Sequence, residues 1–297
     1  MGAMFSNTSI LKKNRNTWLN LFILLVTVIV AVRHASMPDW LGKGYAAFDA
    51  FGKALIWITE VCLPLFFILA GYLIFRGTPS KPDLSWYGQK YLCGLKRIVI
   101  PFLIVNILTW LVYAAAYKFT PSVMSGFLDG NWKDPFFVLW KGPINLALWF
   151  MREVIVAFLF FPVLYLLIRY TWGIGVIALG VLWRLNIIPE TLFWLSLGAA
   201  LAILPIRIKR LNSWMDQHSL RIPADCFDWC YFVYLYHYIP QIAMKKLGVM
   251  LLPEINSAGL ITVWVLNALL LLGGLSAVYL LLRRFTPKLL SVLVGSW

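Results

Sequence analysis

The feature that most constrains this chain is the recurrence of apolar runs long enough to cross a lipid bilayer. Thr17 to Val32 is a stretch of sixteen residues without a single charge. Further runs of this kind lie near 55–75, 98–117, 144–168, 170–188, 190–206, 226–244 and 258–282, and the first extends over 17–35. Hydrocarbon about 30 Å thick needs roughly 20 apolar helical residues to span it. Inside it every backbone polar group must be paired within the segment or barrel. Only 13% of the 297 residues are charged and 61% are hydrophobic, against roughly 25% charged in a soluble domain. A soluble fold is excluded. The expected fold is all-α, a polytopic transmembrane helical bundle of about eight helices. No polar stretch is long enough to fold separately, so residues 1–297 are expected to form one membrane-embedded domain.

The net charge is +14. A basic excess can point to nucleic acid, but here the cations fall in short loops between apolar spans, where they act as orientation signals and headgroup contacts. No nucleic-acid partner is expected; membrane lipids are. With the N-terminus inside, sixteen Lys and Arg residues fall in inner segments and nine in outer ones, so both termini are expected to be cytoplasmic. Lys12, Lys13 and Arg15 before Thr17–Val32 mimic a secretory signal, but Arg33-His34-Ala35-Ser36 is a poor cleavage site and further spans follow. The run is expected to be a retained first helix. Cys62, Cys93, Cys226 and Cys230 show no zinc spacing, and no metal site is expected. They read as small apolar helix residues.

Ionisable side chains at membrane depth are costly and are functional candidates by default. With both termini inside, His34, Glu60, Arg152, Glu153 and His237 share the outer half of the bilayer. His34 reads either as a general base, with an unperturbed pKa near 6.5, or as an interfacial histidine facing headgroups. Arg152 and Glu153 are adjacent, so they do not share a helical face; each is expected to pair across helices or to face a water-filled cavity. Tyr234, His237 and Pro240 fall on nearly one face, and a core histidine bonded to a tyrosine hydroxyl stands beside the functional reading. The segment Arg76–Arg97, with Lys90 and Lys96, reads either as an ordinary positive-inside loop or as a cradle for an anionic cofactor. Gly71-Tyr72, Gly173-x-Gly175 and Gly273-Gly274 are expected to serve close helix packing.

Several segments in order resemble the acyltransferase-3 family of integral membrane acyltransferases. They are the first-helix His34; Pro64-Leu-Phe-Phe-Ile-Leu-Ala-Gly71-Tyr72-Leu; Lys96-Arg97-Ile-Val-Ile-Pro101-Phe; Ile144-Asn-Leu-Ala-Leu-Trp149-Phe-Met-Arg152-Glu153; and Tyr231-Phe-Val-Tyr-Leu-Tyr-His237. The resemblance covers most of residues 15–245. It implies transfer of an acyl group, commonly acetyl, from cytoplasmic acyl-CoA to a hydroxyl of an extracytoplasmic or lipid-linked glycan, by a multi-pass protein of the bacterial inner membrane. In that reading His34 is the base. Arg152, with Glu153, positions the acceptor or stabilises developing charge. His237 and Glu60 line the substrate site, and Arg76, Lys96 and Arg97 hold the CoA phosphates.

Three departures stand out. Ile23 occupies the place of the family's usual helix-one arginine, and Asn20 that of the preceding acidic residue. Ala70 replaces the usual serine of the helix-two motif. The family generally has ten helices, and only Ile206 to Ala224 separate the sixth run from the seventh. A non-catalytic relative acting in polysaccharide export is therefore a second reading. A proton-coupled transporter using His34, Glu60 and His237 is a third, against which no pair of matching interrupted helices is evident.

Overall fold

The computed structural model describes residues 17–35, 43–119, 142–204, 225–241, 244 and 256–296. The flanking Lys12, Lys13 and Arg15, Pro205 and the stretch 206–224 lie outside the described residues. Among those described, every regular element is helical. In chain order they are α1 (Thr17–His34), α2 (Ala46–Phe75), α3 (Leu84–Gly94), a π turn (Leu95–Val99), α4 (Ile100–Phe119), a 3-10 turn (Leu146–Leu148), α5 (Trp149–Leu159), α6 (Phe161–Tyr170), α7 (Ile174–Arg184), α8 (Glu190–Ile203), α9 (Cys226–Tyr236), α10 (Ser257–Phe285) and α11 (Pro287–Leu293).

Three stretches are long and apolar enough to cross a membrane: Ala46–Phe75, Leu84–Ala115 and Ser257–Phe285. The pair Leu146–Leu159 and Phe161–Tyr170 passes the same test together but bends by 67°. Shorter apolar helices, Asn20–His34, Ile174–Arg184 and Glu190–Ile203, account for three more of the expected runs. The bend has a local cause. Pro162 stands in the first turn of α6, where its missing N–H is tolerated, whereas in a continuous helix it would leave the carbonyl four residues back without a donor. The expected single span over 144–168 is therefore two helices.

One half of the bundle is built on α2 and α8. Gly71 lies against the backbone of Leu195 and Ala199, and Gly198 against the backbone of Ile68. A Cβ at either place would run into main chain, so only glycine lets the two axes approach this closely. Around that seam pack Phe67, Phe75, Phe161, Leu164, Ile168 and Leu195, with Phe75 and Phe161 stacked at 4.2 Å. The packing role expected for Gly71 holds, and Gly175 lies close to Leu167 and Thr171. Gly273 and Gly274 are different: both are exposed and a Cβ there would meet open space. Gly173 caps α7 from a left-handed conformation, φ +90, rather than sitting inside a helix.

The other half joins α1, α4, α9 and α10. Trp264 Nε1, near the start of α10, donates to the Val32 carbonyl at the end of α1 at 2.7 Å. At the far end of α10, Arg283 pairs with Asp225, just before α9, at 2.7 Å. Nineteen residues separate Trp264 from Arg283, about 28 Å of helical rise. The end of α1 and the start of α9 thus lie at opposite ends of the bundle.

The segment Arg76–Arg97 is mostly helix, not loop. Asp83 caps α3, its carboxylate accepting from the Trp86 N–H at 2.7 Å, a standard N-terminal device. From there the chain runs through the π turn into α4. The only loop portion is the short connection from Arg76 to Asp83, which the Tyr165 hydroxyl clamps by donating to the Pro79 and Ser80 carbonyls, both at 3.0 Å.

Candidate functional site

His34 is the last residue of α1, and His237 caps α9. Their ring centroids stand 5.2 Å apart with planes tilted by 47°. His237 is 1% exposed; His34 is half-buried. The sequence locates each ring in a hydrophobic run, and the fold brings the two into contact across the α1–α9 interface. His34 therefore faces a neighbouring helix rather than lipid alone.

The position of His237 follows from Pro240. A proline has no N–H for the carbonyl four residues earlier, that of Tyr236, so the helix breaks at His237 and resumes beyond it. His237 Nδ1 lies 2.8 Å from the Tyr234 carbonyl and 3.2 Å from that of Val233. Carbonyls only accept, so Nδ1 carries the hydrogen and Nε2 is the lone-pair nitrogen of the neutral ring. Nδ1 is held by the Tyr234 backbone rather than by the Tyr234 hydroxyl.

The Tyr234 hydroxyl instead donates to the Ala147 carbonyl at 3.2 Å, tying α9 to the 3-10 turn. That turn is held by a buried polar cluster. The Asn145 N–H donates to Asn106 Oδ1 and its side-chain Nδ2 to Thr109 Oγ1, each at 3.2 Å, while Asn145 Oδ1 accepts from the Ala147 N–H. All three side chains are at most 1% exposed. Sequence reasoning overlooked them, although an asparagine inside a membrane-length run, as Asn106 is, signals a structural or functional bond. A file of aromatic contacts completes the surround: Phe22 to Phe66, Phe66 to Phe150, Phe150 to Tyr234 and Tyr234 to His237.

Arg152 departs from expectation, and Glu153 meets it in part. Their side chains pair with each other, Nη2 to Oε1 at 2.5 Å and Nε to Oε1 at 3.1 Å. Adjacent residues leave a helix about 100° apart, but the long guanidinium side chain of Arg152 bends back to its neighbour. Glu153 also reaches across to α8, accepting from Thr191 Oγ1 at 3.2 Å. The pair is partly buried, at 29% and 16% side-chain exposure. Its link to the histidines runs through Phe150 and the Tyr234 contacts.

Glu60 is exposed on α2. The inward neighbour is Thr59, 5% exposed, whose hydroxyl accepts from Arg33 Nη1 at 2.7 Å. Of the basic candidates, Arg76 is exposed beside the Tyr72 ring, Arg97 is exposed and Lys96 is half-buried. Lys96 and Arg97 sit inside the π turn, a local irregularity often found at functional positions. The Tyr231 hydroxyl donates to the Arg97 carbonyl at 3.0 Å, and Gly295 packs on the same backbone. From Tyr231 to His237 is six residues of α9, about 9 Å of rise. The cationic turn and the histidine pair are thus displaced along one helix, joined by tyrosines. In α1, Ile23 and Asn20 are 7% and 6% exposed, so the places of the missing arginine and acid are filled by an apolar contact and an amide.

Chemically, the arrangement offers two imidazoles able to take up and release a proton, one of them beside the Tyr234 ring, with guanidinium and ammonium groups nearer the other end. Among the described residues no group of three metal-ligating side chains converges. No curated protein and no solved structure matches the chain. The acyltransferase domain model of the Acyl_transf_3 family matches residues 16–185, more than half of the chain and including His34, Arg97, Arg152 and Glu153. This all-helical membrane protein belongs to the acyltransferase-3 family.

Proposed function

We propose that the protein moves an acyl group, acetyl in the simplest case, from cytoplasmic acyl-CoA to a hydroxyl of an extracytoplasmic or lipid-linked glycan, from a bacterial inner membrane. The observation that carries this reading is the contact between His34 and the buried His237 at 5.2 Å. His34 is the general base. It takes the proton of the acceptor hydroxyl as that oxygen attacks the thioester carbonyl carbon. The tetrahedral adduct collapses with cleavage of the carbon–sulfur bond, and the imidazolium returns its proton to the departing CoA thiolate. His237, with Nδ1 pinned by the Tyr234 carbonyl, orients His34. Arg97, Lys96 and Arg76 attract the phosphates of the donor, and Arg152, tethered by Glu153, meets charge developing on the substrate. The separation of the cationic turn from the histidines along α9 supports a donor that enters from one end while the acceptor enters from the other.

A non-catalytic relative is favoured by one observation, the buried Ile23 where the family has a cation. A proton relay through Glu60 draws little support, because that carboxylate is exposed. The test is direct. Membranes containing the protein should transfer label from acetyl-CoA to glycan, and His34→Ala should abolish that transfer. CoA binding without turnover would favour the non-catalytic relative.

A further inference from the structure

Gln241 lies one helical turn beyond His237, its N–H pointing to the His237 carbonyl at 3.4 Å. Residues four apart share a face, so its side chain leaves the helix on the side of the histidine pair. It is 2% exposed, and neither Oε1 nor Nε2 has a hydrogen-bond partner. Among the described residues no other side chain buries both a donor and an acceptor unmet. The nearby amides of Asn106 and Asn145 are satisfied. A buried amide with neither pole paired is costly, and such groups in native proteins call for a ligand, a water or a function.

The two poles restrict the partner. It must donate to Oε1 and accept from Nε2 at once. A phosphate, a carboxylate or a thioester carbonyl only accepts; an acyl chain does neither. Neighbouring hydroxyls of a sugar do both, and so do the pantetheine amides of CoA; a measurement of acetyl-CoA binding separates the two. We infer that Gln241 binds the acceptor, bridging hydroxyls beside the one that reacts and holding it against the His34–His237 pair. This rests on the acyl-transfer reading and adds to it the residue that recognises the acceptor.

Gln241→Met keeps the volume and removes both poles. In membranes that carry the glycan, this variant should transfer label from acetyl-CoA about tenfold more slowly or worse. Purified, it should bind acetyl-CoA within about twofold of wild type and melt at or above the wild-type temperature, because an unmet amide has been removed. Gln241→Asn, with both poles on a shorter arm, should recover part of the transfer. Wild-type transfer rates in Gln241→Met would overturn the assignment while leaving the acyl-transfer reading intact. So would lost acetyl-CoA binding, which marks a contact with the donor, or that loss together with a lower melting temperature, which marks a structural residue. If the wild type shows no transfer that depends on His34, the acyl-transfer reading and the assignment of Gln241 fall together.

Discussion

The α2–α8 half and the α1–α9 half of this bundle solve burial in different ways. Around α2 and α8 the contacts are glycine against backbone and ring against ring. The buried hydroxyls of Thr59 and Ser196 donate to carbonyls a turn earlier in their own helices, and the cross-element bonds in this half are few: Thr59 also accepts from Arg33, and Tyr165 donates to the Pro79 and Ser80 carbonyls. Around α1, α4 and α9 the buried polar side chains are larger, and their bonds cross between elements, as in Asn145 to Asn106 and Thr109 and in Tyr234 to Ala147. Without a hydrophobic force between helices in lipid, close approach of small residues gives the first half its rigidity. The second half accepts the expense of polar groups because it must hold imidazoles in a defined geometry. In the proposed function, one half is scaffold and the other carries the chemistry.

The largest effect that separates the halves is expected at the glycine seam. Gly198→Val places side-chain atoms where the Ile68 backbone stands. Overpacking of that kind, with main chain as the obstacle, should cost more than about 3 kcal/mol and leave no monodisperse protein on size exclusion. A well-folded Gly198→Val protein would show that α2 and α8 are not clamped here. Next comes Asn145→Ala in the polar half. It deprives the Ala147 N–H and Thr109 of partners and should lower stability by about 1–3 kcal/mol, read as a reduced melting temperature in detergent. Because the 3-10 turn also receives the Tyr234 hydroxyl, the same variant should slow acyl transfer, whereas a matched apolar truncation in α8 should change stability alone. The smallest effect belongs to Glu60→Gln. With its carboxylate exposed, stability should move by no more than about 0.5 kcal/mol and transfer by less than about twofold. A large loss of activity would return Glu60 to the site.

Some of this was legible in the residues. Gly71 inside an apolar run signals close packing, and two histidines in membrane-length runs signal function. Their contact was not legible, because it depends on how α1 packs against α9 across two hundred residues of chain. The α3 helix was hidden because Leu84–Gly94 is only weakly apolar, so hydropathy reads it as loop despite the Asp83 cap. The break at Phe160 was masked by the opposite effect: hydropathy runs straight through Pro162, and only its place in the first turn of α6 shows where the chain bends. Arg152 and Glu153 defied the rule for adjacent residues because the guanidinium arm is long enough to bend back to its neighbour. Gln241 escaped notice because an uncharged amide does not interrupt an apolar pattern, and its isolation appears only when neighbours are in place.

The most direct test of the central claim, that the imidazole pair performs the chemistry, needs no acceptor glycan. Purified wild-type protein, His237→Ala and His34→Ala are incubated with acetyl-CoA, and free thiol is followed over hours with water as the acceptor. Slow hydrolysis by wild type, a reduced rate in His237→Ala and a loss of about a hundredfold or more in His34→Ala, with melting temperatures unchanged, is the predicted result. Hydrolysis by a folded His34→Ala protein at the wild-type rate would contradict it.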